Sequence, residues 1–298
     1  MEQIIDVIQP GAAGQSAAAR RAGTPWCTDD QMAQIRRLEH FGYSGYSRLD
    51  LNGLLDEYVR DFVEPLLRLS GPPTTVADIG AGYGWLALAF ALATEAHVTA
   101  VEYNGPRLAA ARRIAAILGV EDRITWLEGS IASLPLPDRS MDAVYCVEVI
   151  EHTGVRPEYI AELCRISRDV LVITTPNKLF PVINHDTALP FCHWLPLRAR
   201  NLYAAAFRRR ARQDNNQFWS PYRLLDSVAG FDRVSRFMQF GSYGDYRELR
   251  ARKADTGLGK RCLGMYLALA SGLGRHSLYV LPNLASTFRR RERPSMRP

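Results

Sequence analysis

The sequence predicts a doubly wound α/β fold: a mostly parallel seven-stranded sheet with helices on both faces, an N-terminal helical extension and an inserted cap after strand five. Three observations predict it. Short apolar, β-branched runs alternate with helical segments from Thr75 onward, the signature of a sheet built from crossover units. Those runs lack polar alternation, so both faces of the sheet must be covered. The first run ends in a glycine-rich turn that opens a helix, and sheets of this class bind ligands outside the carboxyl ends of their strands.

Residues 1 to 23 are rich in Ala, Gly and Gln without periodicity, the composition of a flexible segment. A capped helix is expected from Thr28 or Asp29 to His40, then a Gly/Tyr/Ser loop from Phe41 to Ser47. Leu51 to Leu69 reads as an amphipathic helix, with Leu51, Leu54, Leu55, Tyr58, Phe62, Leu66 and Leu69 at helical spacing. Gly71-Pro72-Pro73 breaks it. Five strands follow, at Thr75–Ile79, His97–Glu102, Ile124–Glu128, Asp142–Val147 and Val170–Thr175. Helices are expected between them at Tyr83–Ala93, Asn104–Leu118 (stopped by Gly119) and Arg156–Ile166. The first is apolar all round, which marks it as buried.

After Pro176 the alternation lapses, and the segment containing His185 and His193 reads as an insertion over the sheet's carboxyl edge. Ser220 caps a helix to Ala229 with Pro221 at its first position. Val234–Phe240 is the candidate sixth strand and Ser286–Glu292 the seventh. The chain divides accordingly into a flexible segment and helical lid (1–70), a ligand-binding core (71–178), a cap insertion (179–219) and a completion of the core with a basic tail (220–298).

Composition sets bounds on function. The 298 residues are 47% hydrophobic, enough for a large core without metal or disulfide support. Five cysteines, odd in number and without a C-x-x-C pair, argue against a disulfide framework or a zinc site, and so for a reducing, cytoplasmic setting. Glu2 and Asp6 stand where a signal peptide is basic. The apolar run from Cys262 to Leu273 is too short to span a bilayer and reads as a buried or interfacial helix. The net charge of +6 is uneven: Arg198 to Arg212 holds six arginines and no acid, and Arg289 to Arg297 is similarly basic. A solvated face, an anionic acceptor and a peripheral contact with an acidic membrane all remain open readings of these segments. Nucleic acid is not expected, because no binding module accompanies the charge.

The sharpest motif is Val76-Ala77-Asp78-Ile79-Gly80-Ala81-Gly82-Tyr83-Gly84. A strand delivers Asp78, and three glycines at spacing two then make a tight turn that admits a ligand close to the backbone. A dinucleotide fingerprint would place its third glycine one residue later and no acid before the first. Glu102 ends the second strand about twenty residues on, where a carboxylate accepts both hydroxyls of a ribose. Glu128-Gly129-Ser130-Ile131 follows the third strand. Leu134-Pro135-Leu136-Pro137-Asp138 to Asp142 leads into Val144 to Val147 and then Glu148-Val149-Ile150-Glu151-His152.

These residues resemble class I, Rossmann-like S-adenosylmethionine (SAM)-dependent methyltransferases of the small-molecule and quinone type. The resemblance covers residues 75 to 178 well and extends loosely to the Ala229-Gly230-Phe231 helix end. It implies SAM as cofactor, held by Asp78, Gly80, Ala81, Gly82, Gly84, Glu102, Tyr103, Ser130, Ile131, Val147 and Glu148. Asp78 would position the methionine part, and a side chain at Gly80 would intrude on it. Ser130 replaces the acid that often binds adenine in that family. No metal ligand set is indicated.

The implied reaction methylates a small molecule, lipid or glycan, with oxygen as the expected acceptor atom. N- or C-methylation of a natural product and nicotinamide-dependent oxidoreduction are the alternatives. An oxygen acceptor must lose a proton, so a base near neutral pKa helps. His152, just past the fourth strand, and His185, in the insertion, are the candidates, with His193 behind them. Tyr43, Tyr46 and Arg48 are candidate lid contacts.

Overall fold

The computed structural model describes residues 24–42, 45–183, 186–210, 218–250 and 258–291. An N-terminal layer begins with helix α1 (Asp29–Arg36), whose start is a capping box between Thr28 and Gln31. The short α2 (Glu39–Gly42) follows. Then α3 (Leu51–Tyr58), capped by Asp50, runs through a π turn at Val59–Val63 into α4 (Glu64–Ser70). The predicted helix over 51–69 is thus continuous but contains one wide turn. That turn buries Arg60 and Asp61, and Asp61 receives Arg250 from the far end of the chain at 2.6 Å.

The core then alternates β1 (Thr75–Ile79), α5 (Trp85–Ala93), β2 (His97–Glu102), α6 (Gly105–Leu118), β3 (Ile124–Glu128), β4 (Met141–Val147), α7 (Pro157–Ile166) and β5 (Ser167–Thr174). Helices α8 (Leu197–Ala206) and α9 (Pro221–Ser227) precede β6 (Phe231–Arg233). Helices α10 (Tyr243–Arg250) and α11 (Leu258–Ser271) lead to β7 (Ser286–Arg290). The strand order is β3-β2-β1-β4-β5-β7-β6. Strands β1 to β5 pair in parallel, and β7 runs antiparallel to both its neighbours.

Successive strand residues feed opposite layers, as the pleat requires. Val76, Val98, Ala100, Ala143, Tyr145, Val170 and Val172 face a core shared with α3 to α6. Ala77, Val101, Val144, Cys146, Leu171 and Ile173 face a second core with α7 and α9. Helix α5 is buried over Trp85 to Ala91, between the sheet and the N-terminal layer. Each Leu or Phe buried there contributes about 1.5–3 kcal/mol.

Two expectations are corrected. Helix α5 starts at Trp85 rather than Tyr83, because Gly84 adopts a left-handed φ of 76° that a helix cannot include. Val234–Phe240 is not a strand; β6 is the three residues before it. The Val234 and Ser235 amides still bond Thr287 O, but the chain then folds back, with Phe240 N donating to Phe237 O. Phe237 is buried in a separate cluster with Leu267 and Leu281, edge-on to Tyr243 and beside Tyr246.

Candidate functional site

A cavity of about 430 Å³ opens beyond the carboxyl ends of β1, β2 and β4, within the size range of small-ligand sites. It lies where the strand order reverses: β1 sits between β2 and β4, so their loops part to opposite sides. From the predicted set it is lined by Gly80, Glu102, Tyr103, Ser130, Ile131, Glu148 and His152. Ile79, Val101 and Val149 supply apolar wall.

Glu102 is the best-fixed group. Its side chain is buried at the end of β2, one oxygen accepting the Gly82 N–H at 2.8 Å and the other the Asn104 N–H at 3.0 Å. Each carboxylate oxygen has two lone pairs, so both oxygens keep acceptor capacity for a vicinal diol. Asn104 goes on to cap α6 through the Arg107 amide, which ties the Glu102 carboxylate to the start of that helix.

The glycine loop works differently from expectation. A Cβ on Gly80 would lie 2.4 Å from Val149 Cγ2, in the loop after β4, so close packing between two loops requires glycine there. The steric block comes from the protein itself. Gly84, also in the left-handed region, abuts Trp126 at 2.9 Å in the same sense. Gly82, Gly84, Ala81 and Val147 do not line the cavity, and neither does Asp78. Asp78 is buried beneath the loop and accepts the Ala87 N–H of α5 at 3.3 Å. Burial pushes its carboxyl up to about 7, and the nearby Glu102 charge adds to the rise.

The opposite wall comes from β4 and β5. Glu148 has a left-handed φ of 54°, costly for a non-glycine residue, which puts its side chain on the cavity. The Thr174 hydroxyl donates to Glu148 Oε1 at 3.0 Å, and the Glu148 amide donates to Thr174 O. Glu151 lies fully buried behind it, and the Thr175 hydroxyl donates to its Oε2 at 3.0 Å. Burial, then the Glu148 charge, raises the Glu151 carboxyl well above the usual carboxylate range. His152 follows in the same turn, half-exposed on the cavity, its Nε2 3.9 Å from Glu151 Oε1.

Arg107 was not singled out from the sequence. It lines the cavity from the first turn of α6, with its guanidinium over the Tyr83 ring at 5.7 Å. Its position just after the Asn104 cap was the available signal. Tyr83 in turn packs edge-on to Phe41 and donates to His40 O, so the N-terminal layer supports the loop from outside. Arg48 does not line the cavity. Nor does His193: its Nε2 pairs with Lys178 O at 3.1 Å, and burial lowers its pKa. His185, Tyr43 and the Tyr46 side chain lie outside the described residues.

Residues 76–169 match the methyltransferase domain family. A Mycobacterium tuberculosis protein described as a probable S-adenosylmethionine-dependent methyltransferase is 30% identical over 129 residues, 43% of this chain and 44% of its own length. A sterol 24-C-methyltransferase of Gibberella zeae is 32% identical over 95 residues, 32% of this chain and 25% of its own length. A dimethylglycine N-methyltransferase of Parasynechococcus marenigrum is 33% identical over 107 residues, 35% and 38% of the two chains. The chain thus spans less than half the length of these relatives. In fold it is similar to the magnesium protoporphyrin IX methyltransferase of Synechocystis (TM-score 0.51, 15% identity, 88% of this chain and 94% of that one).

Proposed function

We propose that this chain, whose residues 76–169 form a methyltransferase domain of the SAM-dependent, Rossmann-like class, transfers a methyl group from SAM to a small acceptor, with oxygen as the acceptor atom. The observation that carries the reading is the cavity itself. It joins the Glu102 carboxylate on one side to the Glu148 carboxylate and the His152 imidazole on the other.

The residues present fit the cofactor. Glu102 would take the ribose hydroxyls. Ile79, Val101, Ile131 and Val149 give the adenine an apolar slot, with Ser130 at its rim. Glu148 would face the cationic methionine end, and Arg107 offers a partner for its carboxylate. When bound, SAM supplies an activated methyl group on a sulfonium. The chain's own task is then to align the acceptor and take up its proton. His152, exposed on the cavity, would take that proton. Glu151 and Thr175 hold the turn that presents it. The relatives methylate sterol carbon and dimethylglycine nitrogen by name, so the small-molecule class has wider support than the oxygen atom. A lipid- or glycan-borne hydroxyl is within the proposal. Residues 71–178 would then be the cofactor core, completed by 220–298, with 179–219 and 1–70 as acceptor-side cap and lid. None of the described cap or lid residues lines the cavity.

Calorimetry tests the cofactor. S-adenosylhomocysteine should bind at least tenfold tighter than NAD, about 1.4 kcal/mol, and equal or tighter NAD binding refutes the proposal. Once transfer of labelled methyl from SAM identifies an acceptor, His152→Ala should lower turnover by roughly 10²–10⁴ while S-adenosylhomocysteine affinity holds. A variant within a few-fold of wild type removes His152 as the base.

A further inference from the structure

Helix α11 presents apolar side chains outward. Leu267 and Ala270 pack inward against the Phe237 cluster, yet Met265 is 70% and Leu269 76% exposed. Cys262 and Leu273 are exposed too, so a stripe at i, i+3, i+7 and i+11 faces solvent. A surface helix ordinarily turns its apolar face to the core and its charges to water. A second apolar surface carries Phe191, Trp194 and Leu197, with Leu202 at 74% and Phe207 at 59% exposure, around α8. The two are joined. The Phe180 ring lies 5.9 Å from Tyr266 of α11, and the neighbouring Pro181 O accepts the Phe191 amide. Exposed apolar area on this scale marks an interaction surface.

Charge identifies the occupant. No Asp or Glu stands between Asp186 and Asp214, nor between Asp255 and Glu292. Arg198, Arg208, Arg209 and Arg210 are exposed beside the α8 surface, and Arg261 and Arg275 flank the exposed stripe of α11. Arg200 is not in this set, since its guanidinium bonds the Asp186 carboxylate. A second copy of the chain would set arginine against arginine across such a face. Exposed leucines, an aromatic pair with Trp194, and acid-free arginines are the composition that inserts into the boundary of an anionic bilayer.

We propose that α11 and the segment 191–210 form one face that docks on an anionic phospholipid bilayer, with Met265, Leu269, Leu202 and Phe207 in the acyl boundary and the arginines among the headgroups. Docking of this kind is peripheral. Among the described residues no helix is long and apolar enough to cross a membrane. The proposal does not depend on the catalytic reading, and its test uses no substrate.

Cys262 provides the probe, because the other four cysteines are buried. The chain, labelled there with an environment-sensitive fluorophore, is mixed with vesicles of phosphatidylcholine alone or with added phosphatidylglycerol. The expected result is co-sedimentation with the anionic vesicles, a blue shift of the label, and loss of both at high salt. Met265→Gln with Leu269→Gln should lower vesicle affinity at least tenfold. Arg208→Gln, Arg209→Gln and Arg210→Gln together should remove the preference for the anionic lipid. All these side chains are exposed, so the fold is not at stake. No binding to anionic vesicles, or binding with an unshifted label and unaffected by Met265→Gln/Leu269→Gln, overturns the proposal. So does concentration-dependent dimerisation that the same pair of substitutions abolishes, which would make the face a self-interface.

Discussion

Replacing Gly80 by alanine separates two accounts of the glycine loop. If the glycine is there to leave room for a ligand, the folded protein should tolerate alanine and only binding should suffer. The structure says otherwise. The added Cβ would meet Val149 Cγ2 at 2.4 Å, Cγ1 at 3.0 Å and Cβ at 3.3 Å, at a φ of +79°. The left-handed backbone costs an alanine about 1–2 kcal/mol. Overpacking against Val149 adds about 1–3 kcal/mol. Reduced freedom of the unfolded chain returns about 0.4–1 kcal/mol. Gly80→Ala should therefore destabilise the protein by roughly 1–5 kcal/mol. Val149→Ala removes both clashing methyls, at no more than about 0.8 kcal/mol for each carbon lost from this partly buried side chain. The double variant should be more stable than the sum of the two singles predicts by about 1–3 kcal/mol, the overpacking share. Urea denaturation followed by circular dichroism measures all four corners. An additive cycle, or a Gly80→Ala variant as stable as wild type, refutes the assignment of Gly80 to loop–loop packing.

Glu102→Gln keeps the shape of the carboxylate but turns an amide NH₂ toward one of the two backbone N–H groups it now satisfies. S-adenosylhomocysteine affinity by calorimetry should fall by about 1.5–3 kcal/mol for the lost charged hydrogen bonds, and an unchanged value removes Glu102 from the binding site. Asp78 gives a pH prediction. Its carboxyl is raised from 3.8 to about 7 in the folded chain, so burial costs nothing below the unfolded value and costs progressively more as pH rises toward 7. Asp78→Asn, which keeps an acceptor for the Ala87 amide, should therefore gain stability relative to wild type as pH rises from about 4 to about 7, by at most roughly 4 kcal/mol in urea melts. A difference that does not change with pH contradicts it.

The fold was legible because its signals are local. Each central strand is apolar on both faces, as in Val76-Ala77 and Val144-Tyr145, and that pattern survives without knowledge of any partner. The Asn104 and Ser220 caps, and the Gly119 stop, are read the same way. Val234–Phe240 misled because it mixes β-branched, polar and aromatic residues as an edge strand does. Phe237 instead turns inward to aromatic partners at Tyr243 and Tyr246, which tertiary packing alone selects. In the site, Glu102 could be found from the end of a strand. The contact between Gly80 and Val149 could not, because it depends on how the loops after β1 and β4 meet. Nor could the left-handed backbone of Glu148 or its lock on Thr174.

The acid ahead of the glycines bears on which ligand the sheet can hold. A dinucleotide site uses the free amides at the N-terminus of the helix after β1 to cradle a pyrophosphate. Here the Ala87 amide, one of the otherwise free amides of that first turn, is taken by Asp78. Charged or protonated, the Asp78 oxygen occupies the donor a phosphate would need. The Gly82 amide, a further donor in the loop, is committed to Glu102. Glu102 and Glu148 then line opposite walls of the cavity, against the one guanidinium of Arg107 among the described lining residues. Glu102 would serve the ribose of either ligand, so the discriminating acid is Glu148, whose charge disfavours a pyrophosphate and attracts a cation. A ligand with a ribose at one end and positive charge at the other fits these walls. An arrangement that spends the Gly82 and Ala87 amides internally favours a sulfonium cofactor over a dinucleotide.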